Sequence, residues 1–193
     1  MANKVKYGLS KVYYAIATID STTHAATYAT PKAFPGAVSM SLDQQGELTP
    51  FRADNIDYWV GNSNNGYQGD LEMALITDDF RKDILGQVED ANGMIVELKD
   101  VEAVHFALLF QFEGDDKATR HVLYNCTATR PAAAGSTTTD TIEPQTETVQ
   151  VTASSIFNTS FGQEIVKASC KDGDSDYENF FSAVVQPEAE SES

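Results

Sequence analysis

The sequence predicts a mainly β domain carrying a single helix, on three observations. Two segments, residues 37–42 and 147–153, alternate apolar and polar residues with the period of a half-buried strand. A second pair, residues 104–113 and 119–129, is apolar and β-branched and is joined by Gly114-Asp115-Asp116-Lys117, the composition of a hairpin turn. Helical spacing is read in one place, at Phe80, Ile84, Leu85 and Val88.

Taken in order, residues 1–11 form an N-terminal arm with Lys4, Lys6, Lys11 and no acid. Residues 12–19 are rich in β-branched and aromatic side chains and read as a strand. Residues 27–34 read as another, cut by Pro31 and ended by Pro35-Gly36. In residues 37–42, Val38, Met40 and Leu42 point inward.

Residues 43–69 form a long polar loop that keeps Phe51, Tyr58, Trp59 and Tyr67 among Asn, Gly and Asp. Loops this long in compact domains are usually functional. A short strand is expected inside it at residues 56–60. Residues 71–76 read as a strand. Thr77 then caps a helix over residues 78–91, with Asp78 and Asp79 at its positive end and Asn92-Gly93 to stop it.

Further short strands are expected at residues 94–98 and 165–168. Residues 131–141 form a low-complexity loop of Ala, Gly, Ser and Thr. The β domain thus spans residues 12–171. The tail, residues 172–193, has seven acids and no base, with Phe180, Phe181, Val184 and Val185 able to dock as a last element. Residues 187–193 are expected to be disordered.

With 193 residues the chain supports one good-sized core rather than two domains. Its formal net charge of −16, from 29 acids against 13 bases, makes it a poor grip for phosphates. The opening residues carry lysines with no apolar run behind them, so no secretory leader is expected. The longest nearly unbroken apolar stretch, residues 104–112, falls far short of the ~20 residues that span a bilayer, so no membrane partner is expected.

Catalytic and metal chemistry finds little support. Cys126 and Cys170 fit no zinc spacing. His105 and His121 fall in the two halves of the hairpin and lack a third ligand. Asp172-Gly173-Asp174-Ser175-Asp176 begins like a calcium loop but has Tyr177 where Gly is needed and Ala183 where Glu is needed. No nucleophile elbow, phosphate loop or dinucleotide fingerprint is present. The expectation is a protein without catalytic residues, cofactor or metal.

The second half carries a recognisable order of segments. Phe106-Ala107-Leu108-Leu109-Phe110-Gln111-Phe112 is followed by Val122-Leu123-Tyr124-Asn125-Cys126, then Arg130-Pro131, then Glu143-Pro144 and residues 147–153. Near the start come Tyr7-Gly8-Leu9-Ser10-Lys11 and Phe34-Pro35-Gly36-Ala37, and later Tyr67-Gln68-Gly69-Asp70. This ordered set resembles the phi13-type family of major tail proteins from long-tailed phages of Gram-positive bacteria.

The resemblance implies two packed β-sheets, as a sandwich or partial barrel, with a flanking helix, a long loop and terminal arms. It implies subunits joined into rings, usually hexameric, that stack as a tail tube in the virion, assembled in the host cytoplasm. Partners would then be further copies of the chain, with tape-measure, tail terminator and distal tail or baseplate proteins. Double-stranded DNA would pass through without tight binding. Phe51, Arg52, Tyr58, Trp59 and Tyr67 are the candidate assembly residues, and Phe106, Phe110, Tyr124, Arg130, Pro131, Glu143 and Pro144 carry the family likeness.

A second function fits the same residues. A β-sandwich that binds a carbohydrate or other ligand, or acts as an adhesin, would use Tyr58 and Trp59 as a stacking platform. Rings or tubes in concentrated protein separate the first function from the second.

Overall fold

The computed structural model describes residues 4–114, 116–137 and 144–189, and for residues 48–51, 53, 57, 60 and 62 the backbone alone. The strands are β1 (Lys6–Ile19), β2 (Ala26–Tyr28), β3 (Lys32–Ala33), β4 (Ala37–Gln44), β5 (Leu48–Ala53), β6 (Ile56–Asn62) and β7 (Tyr67–Met73). After helix α1 (Asp78–Asp83) come β8 (Val88–Glu89), β9 (Ile95–Val96), β10 (Phe106–Gly114) and β11 (Thr119–Ala128). The chain continues through β12 (Glu147–Ser154), β13 (Ile156–Asn158), β14 (Gln163–Ile165) and β15 (Lys167–Cys170).

One large antiparallel sheet runs β2-β1-β10-β11-β12-β7-β4, with β3 added to β1 and β15 to β11. Three two-stranded ribbons, β5-β6, β8-β9 and β13-β14, complete the described strands. The fold is therefore mainly β with one short helix, and the sheet does not close into a barrel. The two packed layers expected from the sequence are two parts of this one sheet, β1-β10-β11 and β12-β7-β4, bent around a shared core.

The bend has local causes. Along β1, register shifts at Gly8 and Lys11 coincide with positive φ at both residues, so each is a bulge that twists the strand. In β11, Leu123 opposes Leu108 and Cys126 opposes Phe106, so β11 carries one extra residue there. That bulge turns Leu123 and Cys126 to the same face. Beyond it, the same edge of β11 changes partner: residues 120–123 pair with β15 and residues 125–128 with β12.

The bend buries a main core between the layers. From β10 it takes Phe106, Leu108 and Phe110, the alternate residues of one face. From the opposite layer it takes Leu71, Met73, Val149 and Val151. A second core lies on the other face of β10 and β11, built on Ala107, Leu109, Val122 and Tyr124. Strands covered on both faces read as continuous apolar runs, which is the pattern of residues 104–113.

Helix α1 stoppers one end of the main core. Thr77 accepts from the Phe80 amide as its N-cap, as expected. Phe80 stacks on Phe34 with 4.3 Å between ring centroids and meets Tyr14 and Phe106 edge-on. Glu147 of β12 ties the helix to the sheet, accepting from the Ile76 amide at 2.7 Å and from Arg81 Nη2 at 2.7 Å. The helix ends at Asp83, well short of residue 91. Gly86 has φ +66, and the chain turns there toward β8 in the left-handed conformation that glycine adopts without strain.

The C-terminal segment covers the second core. Tyr177 and Phe180 are buried, and Tyr124 Oη donates to the Val185 carbonyl at 2.9 Å. Asn158 Nδ2 donates to the Pro187 carbonyl at 3.2 Å. Phe180, Phe181 and Val184, among the residues of the acidic tail marked for docking, thus pack on the second core. Residues 190–193 of the expected disordered end lie outside the described residues.

Candidate assembly surfaces

The long loop of residues 43–69 is mostly a β-ribbon. β5 and β6 pair with each other, Phe51 opposite Trp59 and Ala53 opposite Ile56, around a turn at Asp54 and Asn55 that both have positive φ. β4 and β7 at its base pair from Ala37 opposite Met73 to Gln44 opposite Tyr67. The ribbon belongs to no larger sheet among the described residues. Its side chains Ile56, Tyr58 and Trp59 are 61%, 71% and 61% exposed. A ribbon of this size has no core of its own, and two strands alone are marginal in water. Aromatic side chains this exposed, on such an element, are the composition of an interface anchor.

Arg52 is exposed on the same ribbon, and the side chain of Phe51 lies outside the described residues. Tyr67 sits at the ribbon's base, half-buried, with Lys167 Nζ 5.2 Å from its ring centroid. Thus Phe51, Arg52, Tyr58 and Trp59 share one element, while Tyr67 belongs to the sheet.

The residues of the family likeness are placed differently. Phe106, Phe110 and Tyr124 are buried core residues. Tyr28 Oη donates to the Tyr124 carbonyl at 3.0 Å, fixing β2 over the second core. Arg130 is exposed and donates to Glu97 Oε1 at 2.9 Å and the Leu98 carbonyl at 2.8 Å, linking the end of β11 to the segment after β9. Pro131 follows half-buried, Pro144 is exposed, and Glu143 lies outside the described residues.

The outward face of β12-β7-β4 is a second distinctive surface. Cross-strand register sets Ser39 and Thr148 on either side of Glu72, and Ser41 and Gln150 on either side of Asp70. Ser39 Oγ donates to Glu72 Oε2 at 2.7 Å and Thr146 Oγ1 to Oε1 at 2.6 Å. Those two bonds, Thr146's first, hold the Glu72 carboxyl below the usual carboxylate range. With Asp43 on the same face of β4, the surface carries three acids and hydroxyl or amide side chains, without a lysine or arginine in these rows. β4 ends the sheet path, so its far edge has no strand partner among the described residues.

Among the described residues the two hairpin histidines lie apart, as do the two thiols. His105 Nδ1 lies 2.7 Å from Asn125 Oδ1, whereas His121 packs on Phe110 near the other end of β10, so the two imidazoles are apart. Both thiols are free, and burial pushes Cys126 up strongly and Cys170 to about 11. Among the described residues no three His, Cys, Asp or Glu side chains are grouped to hold a metal. Asp174 instead accepts from the Lys171 amide at 2.7 Å, closing a turn.

Residues 2–188 match the family described as phage tail tube protein. The chain belongs to that family. No curated protein matches it as a relative. Tail tube proteins are structural components of the virion tail, built to self-assemble into a tube and to meet other tail components, and the exposed ribbon and the unpaired β4 edge are features such an assembly can use. The sequence marks this region, through its aromatics, as a long loop over residues 43–69 with a short strand at 56–60, and the structure makes most of it a two-stranded ribbon. Sequence reasoning missed the acidic sheet face, whose members come from three segments distant in sequence.

Proposed function

We propose that the chain forms rings, hexameric in keeping with the family resemblance, that stack into the hollow tube through which the phage genome leaves. The β5-β6 ribbon carries this proposal: a weak element presenting Tyr58 and Trp59 to solvent is completed by a neighbouring subunit. The unpaired edge of β4 supports lateral joining, because an open edge invites another strand and ring closure removes it. The acidic face of β12-β7-β4 then suits the wall of the bore. Tape-measure, tail terminator and distal tail or baseplate proteins are the further partners, and DNA is a passenger.

Imaging by electron microscopy tests this. The unaltered chain at high concentration should show rings or tubes. Tyr58→Ala combined with Trp59→Ala should keep its folding midpoint, because exposed side chains away from packed features change stability by only about 0.5 kcal/mol. Long tubes should nevertheless be lost. Normal tubes from the double variant would remove the ribbon from the interface.

A further inference from the structure

The main core is stoppered by α1 near Phe106 and stands open at the other end of β10, near Phe112. The opening encloses about 620 Å³, within the ~300–1,000 Å³ of clefts that bury drug-sized ligands. Phe110, Phe112, Leu123, Met40 and Leu42 contribute its apolar lining. Lys4, Lys6 and Lys167 also line it, and none of the described lining residues is a carboxylate. In a chain with 29 acids and 13 bases, Lys6 and Lys167 at this mouth set positive charge beside its apolar lining. Lys6 Nζ lies 4.3 Å from the Phe112 ring centroid, so the rim and the apolar lining form one surface.

The β5-β6 ribbon has the complementary chemistry. It exposes Ile56, Tyr58 and Trp59, and residues 45–66 carry Glu47, Asp54 and Asp57 against Arg52. Among the described residues nothing fills the mouth, and the ribbon pairs only within itself. We propose that this mouth is the socket for the β5-β6 ribbon of a neighbouring subunit, with its aromatic side chains on the apolar lining and its acidic turn among the lysines. The proposal rests on the self-assembly described above and names the surface that receives the ribbon. Aromatic groups in such a pocket carry the affinity, and the charged rim selects register and excludes like-charged surfaces of this acidic chain.

The test uses full-length chains. Leu42→Cys and Tyr58→Cys are made in separate chains, mixed, assembled and treated with a short bis-maleimide; both native thiols are buried. A covalent dimer joining residues 42 and 58 is expected. Lys167→Cys, at the exposed rim, replaces Leu42→Cys if that variant folds poorly. Phe161→Cys, exposed and outside the mouth, is the control partner and should not link to residue 58. Lys6→Glu with Lys167→Glu should lower tube yield by about tenfold, and Asp54→Lys should recover part of it. Tubes that form without a link between the mouth and residue 58, or with equal linking to residue 161, overturn the socket and leave tube formation standing. Failure of the unaltered chain to form rings or tubes overturns self-assembly, and the socket with it.

Discussion

His121 shows how one residue at the mouth of the main core couples this protein to pH. Its imidazole stacks on Phe110 with 5.3 Å between centroids and meets Phe112 edge-on, and among the described residues Nδ1 has no hydrogen-bond partner. Burial first, then Lys167 on β15 and Lys6 on β1, lower its pKa from 6.5 to about 4. The unfolded chain therefore takes up a proton near pH 6.5 that the folded chain refuses until about pH 4. Stability must fall as pH drops through that window, and the loss from this residue is complete near its lower end. His121→Gln should flatten the decline of the thermal midpoint between pH 6.5 and 5, above the range in which carboxylates dominate. Parallel curves for the two proteins would show that His121 titrates normally. The sequence marked His121 only as a residue of the hairpin. Its environment depends on lysines 115 positions before it and 46 after it, which no local pattern reveals.

At the scale of elements, what was legible was what is local. The β10-β11 hairpin, the Thr77 cap and the alternation of β12 each arise from neighbours in sequence, and the structure contains them at nearly the expected bounds. The pairing of β1 with β10 and of β12 with β7 joins segments far apart, and strand pattern alone carries no record of partner or register. The helix was read too long because Ile84, Leu85 and Val88 continue the helical spacing. Gly86, which breaks it, was available as a signal. In the C-terminal segment the acids outnumber the anchors, yet Phe180, Phe181 and Val184, three of the residues marked for docking, pack on the second core. Arg120 decides the matter: its guanidinium lies 3.8 Å above the Tyr177 ring and 5.1 Å from that of Phe181, and its Nη1 donates to the Tyr177 carbonyl. A chain truncated after Cys170 would uncover Ala107, Leu109 and Val122 and should aggregate or lose its cooperative melting transition. Truncation after Ala189 leaves every described contact in place and should melt like the full chain. A stable, cooperative chain ending at Cys170 would show that the segment is a dispensable cover.

For the whole molecule, charge and topology together bear on passage of DNA. The face of β12-β7-β4 sets Asp43, Asp70 and Glu72 among Ser, Thr and Gln, and Glu72 is held ionised by two hydroxyl donors. Placed around a bore, these acids repeat in every subunit. A basic wall would hold the duplex through released counterions, with log affinity falling by about 0.9 per phosphate contact for each log unit of salt. An acidic wall repels it over about 8 Å at physiological salt, so DNA slides without binding. Tubes of the unaltered chain should therefore retain no short duplex even at low salt. Asp70→Lys with Glu72→Lys, changes on an exposed face, should leave tubes that capture duplex and release it as salt is raised. The sites can be checked directly by locating residues 70 and 72 in a reconstruction of the tube. Tight, salt-sensitive duplex binding inside unaltered tubes, or a bore lined by lysine and arginine, would overturn the assignment of this face to the bore.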